Sequence, residues 1–236
     1  MPTELKFSNK RFEETVRQAL NICDRPIYDS DAILIERLEC DFWFDEKDCE
    51  VLRAFSNLKE LGIEGGSWLL PAISTLAQLE VLYLTGGNDE NGVDFRSFFP
   101  LKALTKLMVS GGAYSSMNLR HLEALVELKN LTDLCLHEFG NVDLKPLENM
   151  VWLKSLFCGY AASVENVEII RNLVHLEYLE LVDFEVEDLC FVEASPETME
   201  LTIGGLRIKQ QYDLTRLKRF KTHDIYENTV AGQWIS

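Results

Sequence analysis

The 236-residue chain is poor in the signals that mark membrane proteins and enzymes. No stretch approaches the roughly 20 consecutive apolar residues that a membrane-crossing helix needs. The N-terminus, Met1-Pro2-Thr3-Glu4-Leu5-Lys6, has no apolar leader core, although a chain whose leader had been removed would read the same. Cations are in the minority, 23 against 39 acidic residues, for a net charge of −16 at pH 7. A nucleic-acid backbone or an anionic membrane would repel such a chain, and a basic partner would be steered toward it. Cysteine is sparse. Cys23, Cys40, Cys49, Cys135, Cys158 and Cys190 form no CxxC pair and no regular framework. Scattered in this way they read as reduced core residues, so the expected compartment is reducing and cytoplasmic. Glycine-rich dinucleotide or phosphate loops, H-E-x-x-H and G-x-S-x-G are all missing. No enzyme activity, cofactor or metal is therefore expected. The 47% hydrophobic content is ordinary for a folded domain and excludes general disorder.

What the chain does have is a repeat. The pattern L-x-x-L-x-L recurs as Leu58-Leu61-Ile63, Leu79-Leu82-Leu84, Leu104-Leu107-Val109, Leu131-Leu134-Leu136, Leu153-Leu156-Cys158 and Leu176-Leu179-Leu181. A leading copy is Ile35-Leu38-Cys40, and weaker copies are read at Thr198-Leu201-Ile203 and Leu217-Phe220-Thr222. Successive copies are 19 to 27 residues apart. Each is preceded by apolar residues three apart, such as Leu52, Phe55 and Leu58, or Ile170, Leu173 and Leu176. In L-x-L the two apolar side chains point to one face of a strand. The preceding i, i+3 spacing is a helical or 3-10 turn over the same core. A single unit cannot bury its apolar face, whereas a stack can.

These residues resemble the short, roughly 22-residue leucine-rich repeat of the internalin-like bacterial class. The resemblance implies an α/β solenoid with a curved parallel β-sheet on its concave face and short helices or 3-10 turns on its convex face. It also implies an N-terminal helical cap, which residues 1–34 supply. Phe12 to Leu20 reads as an amphipathic helix with Phe12, Val16, Ala19 and Leu20 on one face, and a turn follows at Pro26–Asp31. The repeats occupy 35–222, and the tail 223–236 is expected to cover the last coil. Two departures stand out. The family places asparagine nine positions into the repeat, bonded to the backbone of neighbouring coils; here those positions read Gly66, Gly87, Gly112, Phe139, Ala161, Phe184 and Leu206. Gly-Gly pairs at 65–66, 86–87, 111–112 and 204–205 are expected to turn the corners through positive φ. One long repeat carries a polar loop, Asn88 to Gly92. Another carries Ser115 to Asn118 and then Leu119, Leu122, Leu125, Val126 and Leu128, read as a true convex helix.

Chemistry-bearing residues are isolated. His137 and His223 read as sharing one repeat position four strands apart, roughly 19 Å and too far for one metal ion. His121 and His175 fall between strands and read as solvated. Cys135 maps to an outward strand position beside Asp133 and Glu138, the wrong neighbours for a reactive thiol.

The outward positions of the strands are more informative. The middle row reads Glu39, Gly62, Tyr83, Met108, Cys135, Phe157, Glu180, Thr202, Lys221. Val81 and Tyr178 flank it on one side, His137 and Val182 on the other. The candidate site is thus Val81, Tyr83, Met108, Cys135, His137, Phe157, Tyr178 and Val182, rimmed by Glu60, Glu64, Lys106, Asp133, Glu180 and Glu200. An apolar centre with a polar rim is the anatomy of a protein interface. Strands favour aromatic side chains in any case, and a tight arc would pack them on itself. The expected function is a monomeric, non-catalytic module holding a protein partner. An acidic inhibitor or immunity-type protein that captures a basic enzyme is an alternative, as is a secreted adhesin-like or effector module.

Overall fold

The structure is a computed structural model. It describes residues 2–86, 91–112 and 117–235, apart from the side chains of Thr222, His223 and Ile235. The expected loop at 88–90, Gly87, and Ser115 and Ser116 lie outside the described residues.

The chain enters through helix α1, Lys10–Leu20. Asn9 caps it, its side chain accepting from the backbone N–H of Arg11 and Phe12, and Asn21 closes it in left-handed backbone at φ 52°. Phe12 and Val16 are buried, Leu20 packs at the core margin, and Ala19 faces solvent. The buried stripe is therefore narrower than the sequence reading. Phe12 sets its ring 4.7 Å from that of Phe44, joining the helix to the first coil. Asp48, fully buried, accepts the N–H groups of Ser8 at 2.6 Å and Asn9 at 2.8 Å.

Among the described residues, fifteen strands follow. They are β1 Arg37–Trp43, β2 Glu60–Glu64, β3 Val81–Thr85, β4 Val93–Asp94 and β5 Lys106–Ser110. Next come β6 Leu119–Arg120, β7 Asp133–Asp143, β8 Ser155–Glu165, β9 Tyr178–Val182 and β10 Glu185–Val186. The last are β11 Glu200–Gly204, β12 Arg207–Ile208, β13 Thr222–Tyr226, β14 Asn228–Val230 and β15 Gln233–Ile235. Nine of them form one parallel sheet in the order β1-β2-β3-β5-β7-β8-β9-β11-β13. The repeat leucines stack across it: Leu38, Leu61, Leu82, Leu107, Leu134, Leu156, Leu179 and Leu201 are each at most 1% exposed. Burying each contributes about 2 kcal/mol, so coil-to-coil stacking holds the solenoid together.

The convex side is built largely from 3-10 turns, and one expectation changes there. Leu122–Glu127 is 3-10, not an α-helix. Its apolar residues Leu119, Leu122, Leu125 and Leu128 fall three apart, the period of a 3-10 turn, and His121 enters it in left-handed backbone at φ 61°.

The last coil starts three residues later than the sequence suggested. β11 pairs with β13 so that Leu201 meets His223, Thr202 meets Asp224 and Ile203 meets Ile225. The ninth copy is Phe220-His223-Ile225, and Asp224 replaces Lys221 in the middle row. His223 holds a leucine position, so it does not share His137's row, which ends at Tyr226. The corrected register also places an asparagine at the family's ladder position. Asn228, fully buried, accepts from Leu206 N–H at 2.9 Å and donates to the Ile203 carbonyl at 3.0 Å.

Corners are not generally made by glycine. Gly112 (φ 75°) and Gly205 (φ 62°) do use left-handed backbone, whereas Gly65, Gly66, Gly86, Gly111 and Gly204 do not. In the other late coils the turn falls on Glu138, Tyr160, Asp183 and Glu227, at φ 53–55°. The residue after each of these five late corners, from Phe139 to Asn228, is buried, so core packing imposes the turn.

Beyond the corner, β7 and β8 run on together, and β10, β12, β14 and β15 form a separate small sheet. No ladder joins β8 to β10. In β7 and β8 the buried residue after the corner and the next lateral apolar residue are three apart, Phe139 to Val142 and Ala161 to Val164. In the next coils they are two apart, Phe184 to Val186 and Leu206 to Ile208. A one-residue change reverses strand alternation, and the ladder stops there.

Candidate functional site

Parallel register turns the outward strand residues into rows. Tyr83, Met108, Cys135 and Phe157 lie side by side on β3, β5, β7 and β8 and are continued by Glu180 on β9. All four are half-buried. Val81 and Tyr178 share a row but are separated by Lys106, Asp133 and Ser155, so Tyr178 extends the patch while Val81 sits at its far end.

Val182 departs from the sequence reading. It is 3% exposed and adds almost no surface to the patch. A Cβ on neighbouring Gly159 would lie 3.1 Å from Val182 Cβ and 3.2 Å from the tip of the Phe157 ring. Both side chains close over the glycine.

Charge and polarity are arranged around the row. Lys106 Nζ lies 5.3 Å from the centre of the Tyr83 ring. Tyr178 donates its hydroxyl to Glu180, and its phenol is pushed up to about 12, mainly by burial and then by that carboxylate. The Cys135 thiol is pushed up to about 11 by burial and by Glu180, against the opposing pull of Lys106. At neutral pH it is a thiol, a poor nucleophile. Elsewhere Cys40, Cys49 and Cys158 are buried as expected, while Cys23 and Cys190 are exposed; all six are free.

A serine, a histidine and a carboxylate do meet beside the patch. Ser110 Oγ lies 3.3 Å from His137 Nδ1, and Glu138 lies 3.4 Å from the same nitrogen. Ser110 also donates to Glu138 at 3.1 Å. A nucleophilic relay places the hydroxyl and the acid on opposite ring nitrogens, with the hydroxyl bonded to the base. Here both sit on Nδ1 and the buried hydroxyl points at the acid. The cluster orients the imidazole, whose ring packs 5.3 Å from Phe157 and 4.8 Å, edge-on, from Tyr160. Among the described residues no three metal-ligating side chains converge, and no helix is long and apolar enough to cross a membrane.

No protein-family model matches the chain, and no curated protein matches it. Solved structures do. An internalin C2 from Listeria monocytogenes superposes with a TM-score of 0.69 at 17% identity, covering 95% of this chain and 97% of that one. A second internalin of that organism, InlF, gives 0.67 at 18% identity, over 95% of this chain and 64% of its own. The fold is that of an internalin-type leucine-rich repeat. More distantly, the plant peptide hormone receptor RGFR1, in complex with RGF2, gives 0.53 at 15% identity, over 79% of this chain and 34% of that one.

Within the internalin-type coil, three aromatic residues outside the expected site line one cleft beside it. Tyr160 was hidden because it occupies a corner, outside the strand motif. Tyr226 was hidden by the three-residue slip in the last repeat, and once the register is corrected it falls in the His137 row. Trp234 lay in the tail; β15 holds it antiparallel to β14, opposite Thr229.

Proposed function

We propose that the chain is a non-catalytic protein-binding module that holds its partner on the concave face, centred on Tyr83, Met108, Cys135 and Phe157, with His137 and Tyr178 beside them. Val81 lies at the margin, and Val182 is buried beside Gly159. The observation that carries this reading is the side-by-side row of four half-exposed apolar side chains, with charged and polar residues at most other outward positions. Such a row is what an interface core requires. Around it stand Glu39, Glu60, Glu64, Asp133, Glu180, Glu200 and Asp224, against Arg37 and Lys106. That imbalance suits a cationic partner surface, and the plant receptor of similar fold, seen in complex with RGF2, accords with a binding role. Six free thiols suit a reducing compartment.

The test is affinity capture with mass spectrometry, comparing the wild type with a Tyr83→Ser/Phe157→Ser double variant. Both positions are partly solvated, so circular dichroism should show an intact fold. Loss of a specific partner from the variant is the expected result; unchanged capture would overturn the reading. Salt separates the two contributions. Binding through the apolar row survives 0.5 M salt, whereas an inhibitor steered by charge loses its on-rate steeply.

A further inference from the structure

At the C-terminal end of the concave side, the surface changes from an apolar row to a cleft of about 510 Å³ between Tyr160, Tyr226 and Trp234. Each ring is held out by a local device. Tyr160 stands on left-handed backbone at φ 55°, an unfavourable conformation for an aromatic residue, and is 47% exposed. Tyr226 lies across Gly204, where any Cβ would overlap its ring. Trp234 is 77% exposed on β15, the last strand, next to the open turn at Gly232.

Two carboxylates, Asp183 and Glu227, and one cation, Arg207, line this cleft. Asp183 is engaged by Arg207 at 3.4 Å. Glu227, on the rim, makes no ion pair among the described residues. The Tyr226 phenol is raised first by burial, then by the facing Tyr160, Glu180, Asp224 and Glu227. Aromatic faces carry negative quadrupole charge, so with Arg207 held by Asp183 the three rings and Glu227 favour a cationic guest.

We propose that this cleft is a cation-accepting subsite, which takes a guanidinium or ammonium side chain of the bound partner against the Tyr160, Tyr226 and Trp234 rings with Glu227 as counter-charge. It rests on the reading that the concave side binds protein, and it names the group that the C-terminal end recognises.

The test needs no partner. N-acetyl-arginine amide is titrated into the full chain at constant ionic strength while the indole N–H resonance of Trp234 is followed, with the neutral isostere N-acetyl-citrulline amide as control. The expected result is a saturable shift with the arginine compound and binding about fivefold weaker for citrulline. Glu227→Gln, at an exposed position, should weaken arginine binding by about threefold with the fold unchanged. Equal binding of both compounds, or no saturable shift at Trp234, would overturn the subsite. A failure here, with capture still lost in the Tyr83/Phe157 variant, removes the subsite alone. Capture that is indifferent to Tyr83 and Phe157 removes the concave-face reading instead.

Discussion

Asn228 offers the sharpest test of how the solenoid ends. Its side chain makes two hydrogen bonds to backbone groups of the preceding coil, to Leu206 N–H at 2.9 Å and the Ile203 carbonyl at 3.0 Å, and it is wholly buried. Asn228→Leu puts there the residue type that the preceding coil carries at Leu206. Leucine fills the space but leaves one donor and one acceptor buried without partners. At about 1–3 kcal/mol for each unsatisfied group, less the gain from burying leucine, the variant should lose about 3 kcal/mol. For a chain of this size that is a fall in Tm of roughly 6–12 °C if unfolding is cooperative. Asn228→Asp keeps the acceptor but faces the Ile203 carbonyl with a buried negative charge, and should be worse at pH 7 than at pH 4. Urea denaturation followed by circular dichroism gives the free energy. Hydrogen exchange at Thr229 and Ala231, whose N–H groups bond Leu206 and Ile208, shows whether the loss is local to the last coil. A loss below 1 kcal/mol with unchanged m-value, and unchanged exchange at those two amides, would refute the claim that this one asparagine anchors the end of the solenoid.

Three further perturbations test other joints. Asp48→Ala removes the carboxylate that accepts both Ser8 and Asn9 N–H, so urea melts should show a loss of about 2–3 kcal/mol, with α1 released first. Ala231 sits at φ 48° on the surface; Ala231→Gly relieves that backbone and should raise stability by about 0.5 kcal/mol in the same assay, whereas a fall would show that the turn is unstrained. The Arg25 guanidinium, donating to both oxygens of Asp31, lowers that carboxyl from 3.8 to about 2. Its folded value lies below its unfolded one, so its contribution is full above pH 4 and lost as the pH falls toward 2. Asp31→Asn should therefore be less stable than wild type at pH 7, with the gap closing between pH 4 and pH 2 in acid melts.

The leucine periodicity was enough to read eight of nine coils in register, because a strand residue that must be buried has only one acceptable phase. The central row from Tyr83 to Phe157 was legible for the same reason: residues between two buried positions have to face outward. The reading slipped where leucine gave way to histidine at 223, and with the slip went Tyr226, Asn228 and the true position of His223. It also failed at the corners. Glycine pairs suggested turns, yet left-handed backbone falls on Glu138, Tyr160, Asp183 and Glu227 as well, because the buried residue that follows each corner dictates the turn whatever side chain stands on it.

Alternation and spacing are local properties, so the sequence by itself determined the solenoid, its strand faces, its acidic character and the apolar row. Cover and proximity are not local. That Val182 is buried, that the Ser110, His137 and Glu138 cluster has the wrong order for a relay, and that Tyr160, Tyr226 and Trp234 share one cleft were decided only by tertiary structure. Stacking brings side chains from coils about 22 residues apart to within 5 Å of one another, and no pattern along the chain records which way they lean.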